Sequence, residues 1–170
     1  MVAETKPDQF FNKNASPDNN GPLSGGVCVW LVKREGNKTY LLFQKRSTNV
    51  QNAGLYDSSS GGHIDKGEDA LTAALRETKE EIGLNLVPED LKFVCSYATT
   101  KKLMHVYLSD RTGKNDQLNI DKYEVDGVEW VSFEDLDDFV KTKVKSSLTK
   151  FFPHIKVLRF YIENFLYGDY

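Results

Sequence analysis

Apolar and polar residues follow each other along most of this chain in runs typical of β-strands. The first two runs are GGVCVWLVKR and TYLLFQKR, and the polar turn Glu35–Lys38 separates them. Two such runs on either side of a short turn predict an antiparallel hairpin that begins at Gly25. Three further runs rich in β-branched and aromatic residues follow: LKFVCSYAT, LMHVYLSD and DGVEWVS. We therefore expect a β-sheet at the centre of the fold.

A different spacing, typical of a helix, covers the stretch from Glu68 to Ile82. Its buried face is predicted from positions at i, i+3, i+4, i+7 and i+11, namely Leu71, Ala74, Leu75, Thr78 and Ile82. Gly83 predicts the C-terminal end of this helix. The small-residue loop NAGLYDSSSGG precedes the helix and leads into a short strand.

Two more helices are predicted towards the C-terminus. Ser132, with Asp135 three residues later, resembles an N-cap before FEDLDDFVK. A last helix is expected over Ile155–Leu166, after Pro153. This order of strands and helices predicts a mixed α+β fold.

The first part of the chain differs in composition from the rest. Residues 1–24 are polar and rich in Asn, Asp and Pro, which predicts an N-terminal arm outside the packed domain. Residues 25–170 are predicted to form a single domain that includes the C-terminal helices. A chain of 170 residues fits one domain, since domains typically have about 100–200 residues.

Composition and charge exclude several classes of partner. Hydrophobic residues make up 39% and charged residues 28%, as in soluble globular domains. The net charge of −3 argues against long nucleic acids and anionic membranes as partners. The sequence has no apolar run of about 18 residues and no signal peptide, which predicts a cytoplasmic protein. Cys28 and Cys95 lie in apolar runs and are predicted to be reduced core thiols.

The most specific signal is a set of glycine, glutamate and arginine residues at fixed intervals. Starting at Gly62, the pattern continues with Glu68, Arg76-Glu77, Glu80-Glu81 and Gly83-Leu84. The seven positions with a fixed residue type, which exclude the aliphatic Leu84, match by chance on the order of 10⁻⁸ per starting point at average residue usage. The spacing therefore indicates a functional site rather than an ordinary solvated acidic helix.

The three glutamates of the helix predict a metal site. Glu77, Glu80 and Glu81 stand at i, i+3 and i+4, so their carboxylates project from neighbouring positions on one helical face. Like charges at this spacing repel, and a divalent cation removes the conflict. Oxygen-only ligands suit Mg²⁺, with Mn²⁺ as a possible substitute.

Other residues of the pattern are predicted to support this site. The guanidinium of Arg76 has a fixed fork of donors that would pair with Glu68 while orienting Glu77. Gly61 and Gly62 would allow a tight or positive-φ passage beside a ligand, and Gly67 would let the chain turn into the helix.

Residues 62–84 resemble the Nudix box, G-x5-E-x7-R-E-U-x-E-E-x-G-U with U aliphatic, and Thr78 is the one mild departure. The resemblance extends from about Gly25 to Lys141. It implies an α/β/α sandwich around a mixed β-sheet and Mg²⁺-dependent hydrolysis of a nucleoside diphosphate derivative. It also implies that Glu77, Glu80 and Glu81 bind the metal, with Arg76 and Glu68 as their support.

Further roles follow from the same interpretation. The general base is Glu80 or, alternatively, Glu124, which precedes the strand DGVEWV in the way auxiliary Nudix carboxylates often do. Gly62 and His63 are candidate substrate contacts. Cations for the substrate's phosphates are expected from Lys45 and Arg46, with Lys101 and Lys102 as alternatives. Three tyrosines are candidates for stacking on a base: Tyr56, Tyr97 and Tyr107. A late aromatic cluster is expected in the core or on a docking surface: Phe151, Phe152, Phe160, Tyr161 and Phe165.

Two alternatives to hydrolysis remain. The approach GLYDSSSGGHIDKGED resembles Nudix proteins related to isopentenyl-diphosphate isomerase, in which a cysteine precedes the Gly-His pair. Here Ser58, Ser59 and Ser60 occupy that approach, and the helix motif is intact, which favours hydrolysis. The second alternative is a domain that senses a nucleotide without cleaving it. The small-molecule substrate and the oligomeric state are left open.

Overall fold

The computed structural model describes residues 24–99, 101–144 and 153–168. Within these ranges seven strands and three helices follow one another, together with a 3₁₀ turn at Pro88–Asp90 and a π-helical turn at Ile162–Leu166. The strands are β1 (Ser24–Glu35), β2 (Lys38–Arg46), β3 (Tyr56–Asp57), β4 (Ser60–His63), β5 (Lys92–Ala98), β6 (Lys102–Asp110) and β7 (Val125–Ser132). The helices are α1 (Ala70–Ile82), α2 (Leu136–Lys143) and α3 (Pro153–Tyr161).

The strands form one mixed sheet with β1 at its centre. One edge of β1 pairs in parallel with β6, which in turn pairs with β5. Along the other edge, Gly26–Val29 pair with β4 and Val32–Glu35 pair with β2, both antiparallel. β2 also pairs with β3 and β7. The predicted hairpin and mixed sheet are confirmed.

Strand β1 divides the core into two layers because its side chains alternate between the two faces of the sheet. Val27, Val29 and Leu31 pack with α1 on one face. Cys28, Trp30 and Val32 pack with α2 and α3 on the other face. Helices on both faces of the sheet make the α/β/α sandwich that the resemblance implied.

Helix α1 is shorter than predicted, and its buried face differs slightly from the predicted one. It begins at Ala70 rather than Glu68, because the Asp69 side chain accepts a hydrogen bond from the Thr72 amide and caps the helix. It ends at Gly83, which has a left-handed φ of 70°. Its most buried positions are Ala70, Ala73, Ala74, Thr78, Glu81 and Ile82, whereas Leu71 and Leu75 are only half-buried.

The C-terminal helices agree with the predicted pattern, with local differences. Ser132 Oγ accepts a hydrogen bond from the Asp135 amide, but α2 itself begins later, at Leu136. The predicted last helix is present as α3 and the π-helical turn that follows it. Phe160 and Phe165 are more than half exposed, so they do not belong to the core. Phe151 and Phe152 lie outside the described residues.

The predicted core thiols are confirmed in part: Cys28 is buried and Cys95 is half-buried, and both are thiols rather than a disulfide. Burial raises the pKa of the Cys95 thiol. The N-terminal arm lies outside the described residues except for Ser24, the first residue of β1. None of the helices in the described ranges is long and apolar enough to span a membrane. A cytoplasmic location stays a prediction.

Candidate active site

Arg76 binds the acidic residues of α1 and of the loop before it. Its Nε and Nη2 donate to the two oxygens of Glu68 at 3.0 and 2.9 Å. Its Nη1 donates to Glu77 at 2.9 Å and to Glu80 at 3.0 Å, and Nη2 also donates to the carbonyl of His63 at 2.9 Å. These bonds, to Glu68 first, raise the pKa of Arg76 further. One guanidinium thus holds three carboxylates together, as its fork of donors allows.

Glu81 is the buried acid of the cluster, with 5% of its surface exposed. Its Oε2 accepts hydrogen bonds from the Gly61 amide at 2.8 Å and from Gln44 Nε2 at 3.2 Å. Burial raises the pKa of Glu81 to about 8, and the nearby charges of Glu77 and Asp57 add to the rise. This carboxyl is therefore poised to lose its proton to a bound cation.

Gly62 and Glu77 lie against each other. A Cβ placed on Gly62 would stand 2.1 Å from Glu77 Oε1, far closer than two atoms can approach without a shift. Neither Gly61 nor Gly62 has a positive φ, whereas Gly67 does, at 87°. The missing side chain at Gly62, rather than backbone freedom, is what lets Glu77 lie beside the loop. Burial raises the pKa of Glu77 despite the opposing effect of Arg76.

The two candidate bases differ in their setting. The side chain of Glu80 is 58% exposed and pairs with Arg76. Glu124 is exposed, and its carbonyl accepts a hydrogen bond from the Ser47 amide at 2.9 Å. The charge of Glu124 also contributes to the raised pKa values of Glu77 and Glu81, after the larger effect of burial. The charge of Glu124 therefore acts on the cluster, whereas its role as a base stays a prediction.

The three glutamates of α1 have the donor atoms that a divalent cation needs, although their side chains do not converge on one point. No three acidic, histidine or cysteine side chains in the described ranges converge as ready-made ligands. The reason lies in the contacts of the acids, because Arg76 takes Glu77 and Glu80 while Glu81 turns to Gly61. The donors are nevertheless oxygens on neighbouring helical positions, and this set fits Mg²⁺ or Mn²⁺. The metal-binding role of these glutamates stays a prediction.

The two residues of β2 predicted to bind the substrate's phosphates, Lys45 and Arg46, lie in different positions relative to the acidic cluster. Lys45 pairs with Tyr56, whose ring packs on Phe139 at 4.9 Å on the face covered by α2. Directly paired residues point to the same face, so Lys45 lies on the face opposite Gln44 and Glu81. The structure therefore does not bring Lys45 to the acidic cluster.

Arg46 is nearer to the cluster but is already bonded. Its Nη1 donates to Asp57 Oδ2 at 3.2 Å and its Nε donates to the Gln51 carbonyl at 2.7 Å. His63 as a whole residue is exposed. The partial loss of water around its ring lowers its pKa, and the charge of Lys102 lowers it further. Gly62 and the His63 carbonyl thus contact the cluster directly. Lys102 is linked to it only by its effect on His63, and Arg46 only by its bond to Asp57.

The three candidate stacking tyrosines all pack within the protein. Tyr56 contacts Phe139, and Tyr97 stacks on His154 with ring centroids 4.8 Å apart. Tyr107 is buried and contacts Phe93 at 5.8 Å. The structure therefore gives these rings a place in the core.

Two buried side-chain contacts around the site, Gln44–Glu81 and Ser60–Thr78, were not predicted from the sequence. Gln44 donates to Glu81, and Asp57 lies directly opposite Gln44 in the β2–β3 pair. Ser60 Oγ and Thr78 Oγ1 are 2.8 Å apart, and Thr78 donates to the Ala74 carbonyl. Thr78, the departure from the aliphatic pattern, is thus the helix partner of a serine in the preceding loop. The run of buried serines before the box was the signal that could have indicated this contact.

Comparison with known proteins agrees with this geometry. A family model described as the NUDIX domain matches residues 22–155. An uncharacterized Nudix hydrolase of Clostridium acetobutylicum is 32% identical over 124 residues, which are 68% of this chain and 60% of the relative. An RNA pyrophosphohydrolase of Pelagibacter ubique is 28% identical over 138 residues, covering 71% of this chain and 84% of the relative.

Solved structures share the fold. The Caenorhabditis elegans Ap4A hydrolase in a binary complex superposes with a TM-score of 0.62 at 20% identity, covering 84% of this chain and all of that one. At this level of identity the likeness concerns the fold alone. The family model, in contrast, matches most of the chain, including both sheet edges and the helix that carries Arg76 and the glutamates. The chain therefore belongs to the NUDIX domain family.

Proposed function

We propose that this protein is a Mg²⁺-dependent hydrolase that cleaves a diphosphate linkage in a nucleoside diphosphate derivative or a related organic pyrophosphate. The observation that carries the proposal is the arrangement around Arg76, which gathers Glu68, Glu77 and Glu80 while Glu81 lies buried beside them. Four acids and one arginine beside the loop glycines Gly61 and Gly62 support cation and phosphate chemistry better than a structural role.

Each residue has a distinct part in the proposed reaction. Glu77, Glu80 and Glu81 would hold the cation, which would supply charge neutralisation for the phosphate oxygens and activation of the attacking water. Arg76 fixes Glu77 and Glu80 by hydrogen bonds, and Glu68 in turn fixes Arg76. The proton of the attacking water would pass to a carboxylate, either Glu80 or Glu124.

The substrate is proposed to be a small molecule with a diphosphate. The names of related proteins support cleavage between phosphates in general, because one relative is an RNA pyrophosphohydrolase and one protein of similar fold is an Ap4A hydrolase. The net charge of −3 favours small substrates over long RNA, although an RNA 5′ end presents the same phosphate chemistry. Dinucleotides, nucleotide sugars and RNA with a 5′-triphosphate are the substrates to compare.

The test is phosphate release from these substrates with Mg²⁺ or Mn²⁺, in wild type and two variants. Glu80→Gln and Glu81→Gln are expected to lower kcat at least about 100-fold, because each removes a charged group at the reacting centre. Glu89→Gln changes an exposed acid on the 3₁₀ turn and is the control. Wild-type turnover in both site variants would contradict the proposal. A ligand-induced rise in melting temperature without hydrolysis would instead support a nucleotide-sensing domain.

An isomerase-like activity is the second candidate, because the Ser-Gly-Gly-His approach to the box resembles isopentenyl-diphosphate isomerases. Cys28 pairs with Gly61 in the sheet, close to that approach. Its thiol, however, packs in the core on the α3 face, away from Glu77 and Glu81. This supports hydrolysis over carbon protonation, and an assay with isopentenyl diphosphate separates the two.

A further inference from the structure

Gln44 is a buried polar residue outside the Nudix box that contacts the proposed metal site. It lies on β2 with 2% of its surface exposed, and its Nε2 donates to Glu81 Oε2 at 3.2 Å. Its backbone is paired on both sides, with Asp57 of β3 and Val128 of β7. Pairing on both sides leaves the strand little freedom, so the Gln44 side chain is presented to Glu81 from a rigid position.

Glu81 is thus held from two strands at once. The Gly61 amide of β4 donates to the same Oε2 atom at 2.8 Å, while α1 supplies the carboxylate itself. Two donors on one oxygen fix the rotamer of Glu81 before any ligand binds. Such supporting contacts commonly decide how well a metal ligand performs.

The other end of the Gln44 amide is unusual. Its Oε1 is buried and has no hydrogen-bond partner among the described residues. A buried acceptor without a donor costs folding free energy, and native proteins rarely retain one without a reason. Asp57, directly opposite on β3, is an acceptor when ionised and does not satisfy this atom. The carbonyl suits a donor such as water.

We propose that Gln44 is a positioning residue of the cation site. Its N–H group holds the Glu81 carboxylate, and its carbonyl accepts a hydrogen bond from a water in the shell of the bound cation. The inference rests on the proposed function, because it needs a cation at Glu81. A methionine at this position would match glutamine in length but would lose both hydrogen bonds.

The test measures Mn²⁺ binding to the full chain without substrate, by titration calorimetry and electron paramagnetic resonance. Gln44→Met is expected to weaken Mn²⁺ binding by about 10- to 100-fold, as loss of a supporting partner does in other metal sites. Val131→Ala is the matched control, because it removes methyl groups from the opposite core layer of the neighbouring strand. It should lower the melting temperature and leave Mn²⁺ affinity unchanged.

Gln44→Glu provides a second variant, since it keeps the size of the side chain and an acceptor oxygen. It is expected to bind Mn²⁺ more tightly than Gln44→Met. If Gln44→Met is less stable but binds Mn²⁺ like wild type, or if both Gln44 variants bind equally weakly, the inference is wrong. A wild-type chain that binds no Mn²⁺ would overturn the proposed function, whereas wild-type binding with unaltered variants overturns this inference alone.

Discussion

At the scale of single residues, Gly62 is the position where a small change would do the most damage. A methyl group there would stand 2.1 Å from Glu77 Oε1, so Gly62→Ala must push the carboxylate aside. Because the displaced atom is the end of a side chain, we expect the fold to persist and the site to change. The expected result is Mn²⁺ binding weakened by about tenfold, measured by calorimetry.

Gly127→Ala is the control for this substitution. Gly127 has no atom within 4 Å of an added Cβ and is not among the glycines with positive φ. Unaltered Mn²⁺ affinity in Gly62→Ala would show that Glu77 is not a ligand.

The ion pair of Arg76 and Glu68 predicts how the free energy of unfolding depends on pH. Hydrogen bonds from Arg76 lower the pKa of Glu68 below its ordinary 4.5. An acid whose pKa is lower in the folded state stabilises the fold above its unfolded pKa, and this contribution is lost as the pH falls through the folded pKa. Glu68→Gln should therefore cost about 1–2 kcal/mol at neutral pH and progressively less below pH 4.5.

Urea unfolding of both proteins at a series of pH values measures this difference. Glu89→Gln, which alters an exposed acid on the 3₁₀ turn, serves as the control. A difference between wild type and Glu68→Gln that stays constant from pH 7 to pH 3 would contradict the assigned ion pair.

The contacts that site residues make within α1 could be predicted from the sequence, whereas the contacts that residues of the sheet make with the site could not. Helical geometry alone places Arg76 next to Glu77 and Glu80, and the predicted pairing with Glu68 is present in the structure. Gln44 reaches Glu81 only because β2 and α1 are brought together across the domain, at a separation of 37 residues. Sequence spacing carries no information on such a contact, which depends on strand register.

At the scale of elements, α1 is tied to β4 by the hydroxyls of Ser60 and Thr78, 2.8 Å apart and both buried. Ser60→Ala and Thr78→Val should each lower the free energy of unfolding by about 1 kcal/mol. The double variant should cost less than the sum of the two, because the shared bond is lost only once. Urea unfolding of all four proteins measures the coupling.

Thr72→Val tests the cost of valine in α1 itself, since Thr72 is exposed on the same helix. Strictly additive effects of Ser60→Ala and Thr78→Val would show that the two hydroxyls do not interact.

The bounds of elements were predictable where local signals exist. Gly83 ends α1 as expected, because a left-handed residue at this position is a local property of the backbone. The predicted start of α1 was wrong by two residues, because the N-cap is Asp69 rather than a residue before Glu68. The parallel pairing of β1 with β6 joins segments far apart in the chain, and no turn between them indicates it.

At the scale of the whole molecule, the order of strands and helices predicted a mixed α+β fold, and the resemblance to the Nudix box implied the sandwich. The two core layers of the structure give the physical reason for the sandwich. The alternation of β1, with Val29 facing α1 and Trp30 facing α3, requires helices on both faces of the sheet. The same argument does not extend to the exposed rings of Phe160 and Phe165, which contact each other at 6.0 Å. They were predicted to lie in the core or on a docking surface, and only the position of α3 and of the π-helical turn on the domain shows that they are outside the core.

Binding of a cation at α1 should be measurable in the stability of the whole domain. A ligand that binds only the folded state adds about 2.7 kcal/mol to the free energy of unfolding at 100 times its Kd. The site joins residues from α1, β2 and β4, so it cannot persist in the unfolded chain. Mg²⁺ or Mn²⁺ should therefore raise the melting temperature in proportion to the logarithm of its concentration.

Glu81→Gln should remove most of this increase, because it deletes the charge of the buried ligand while keeping the size of the side chain. Glu89→Gln, on the exposed 3₁₀ turn, should retain the full increase. Calorimetric melting of the three proteins over a series of Mg²⁺ concentrations provides the measurement. Equal increases in all three would mean that the cation stabilises the domain from somewhere other than α1, and the metal-binding role of Glu81 would then be wrong.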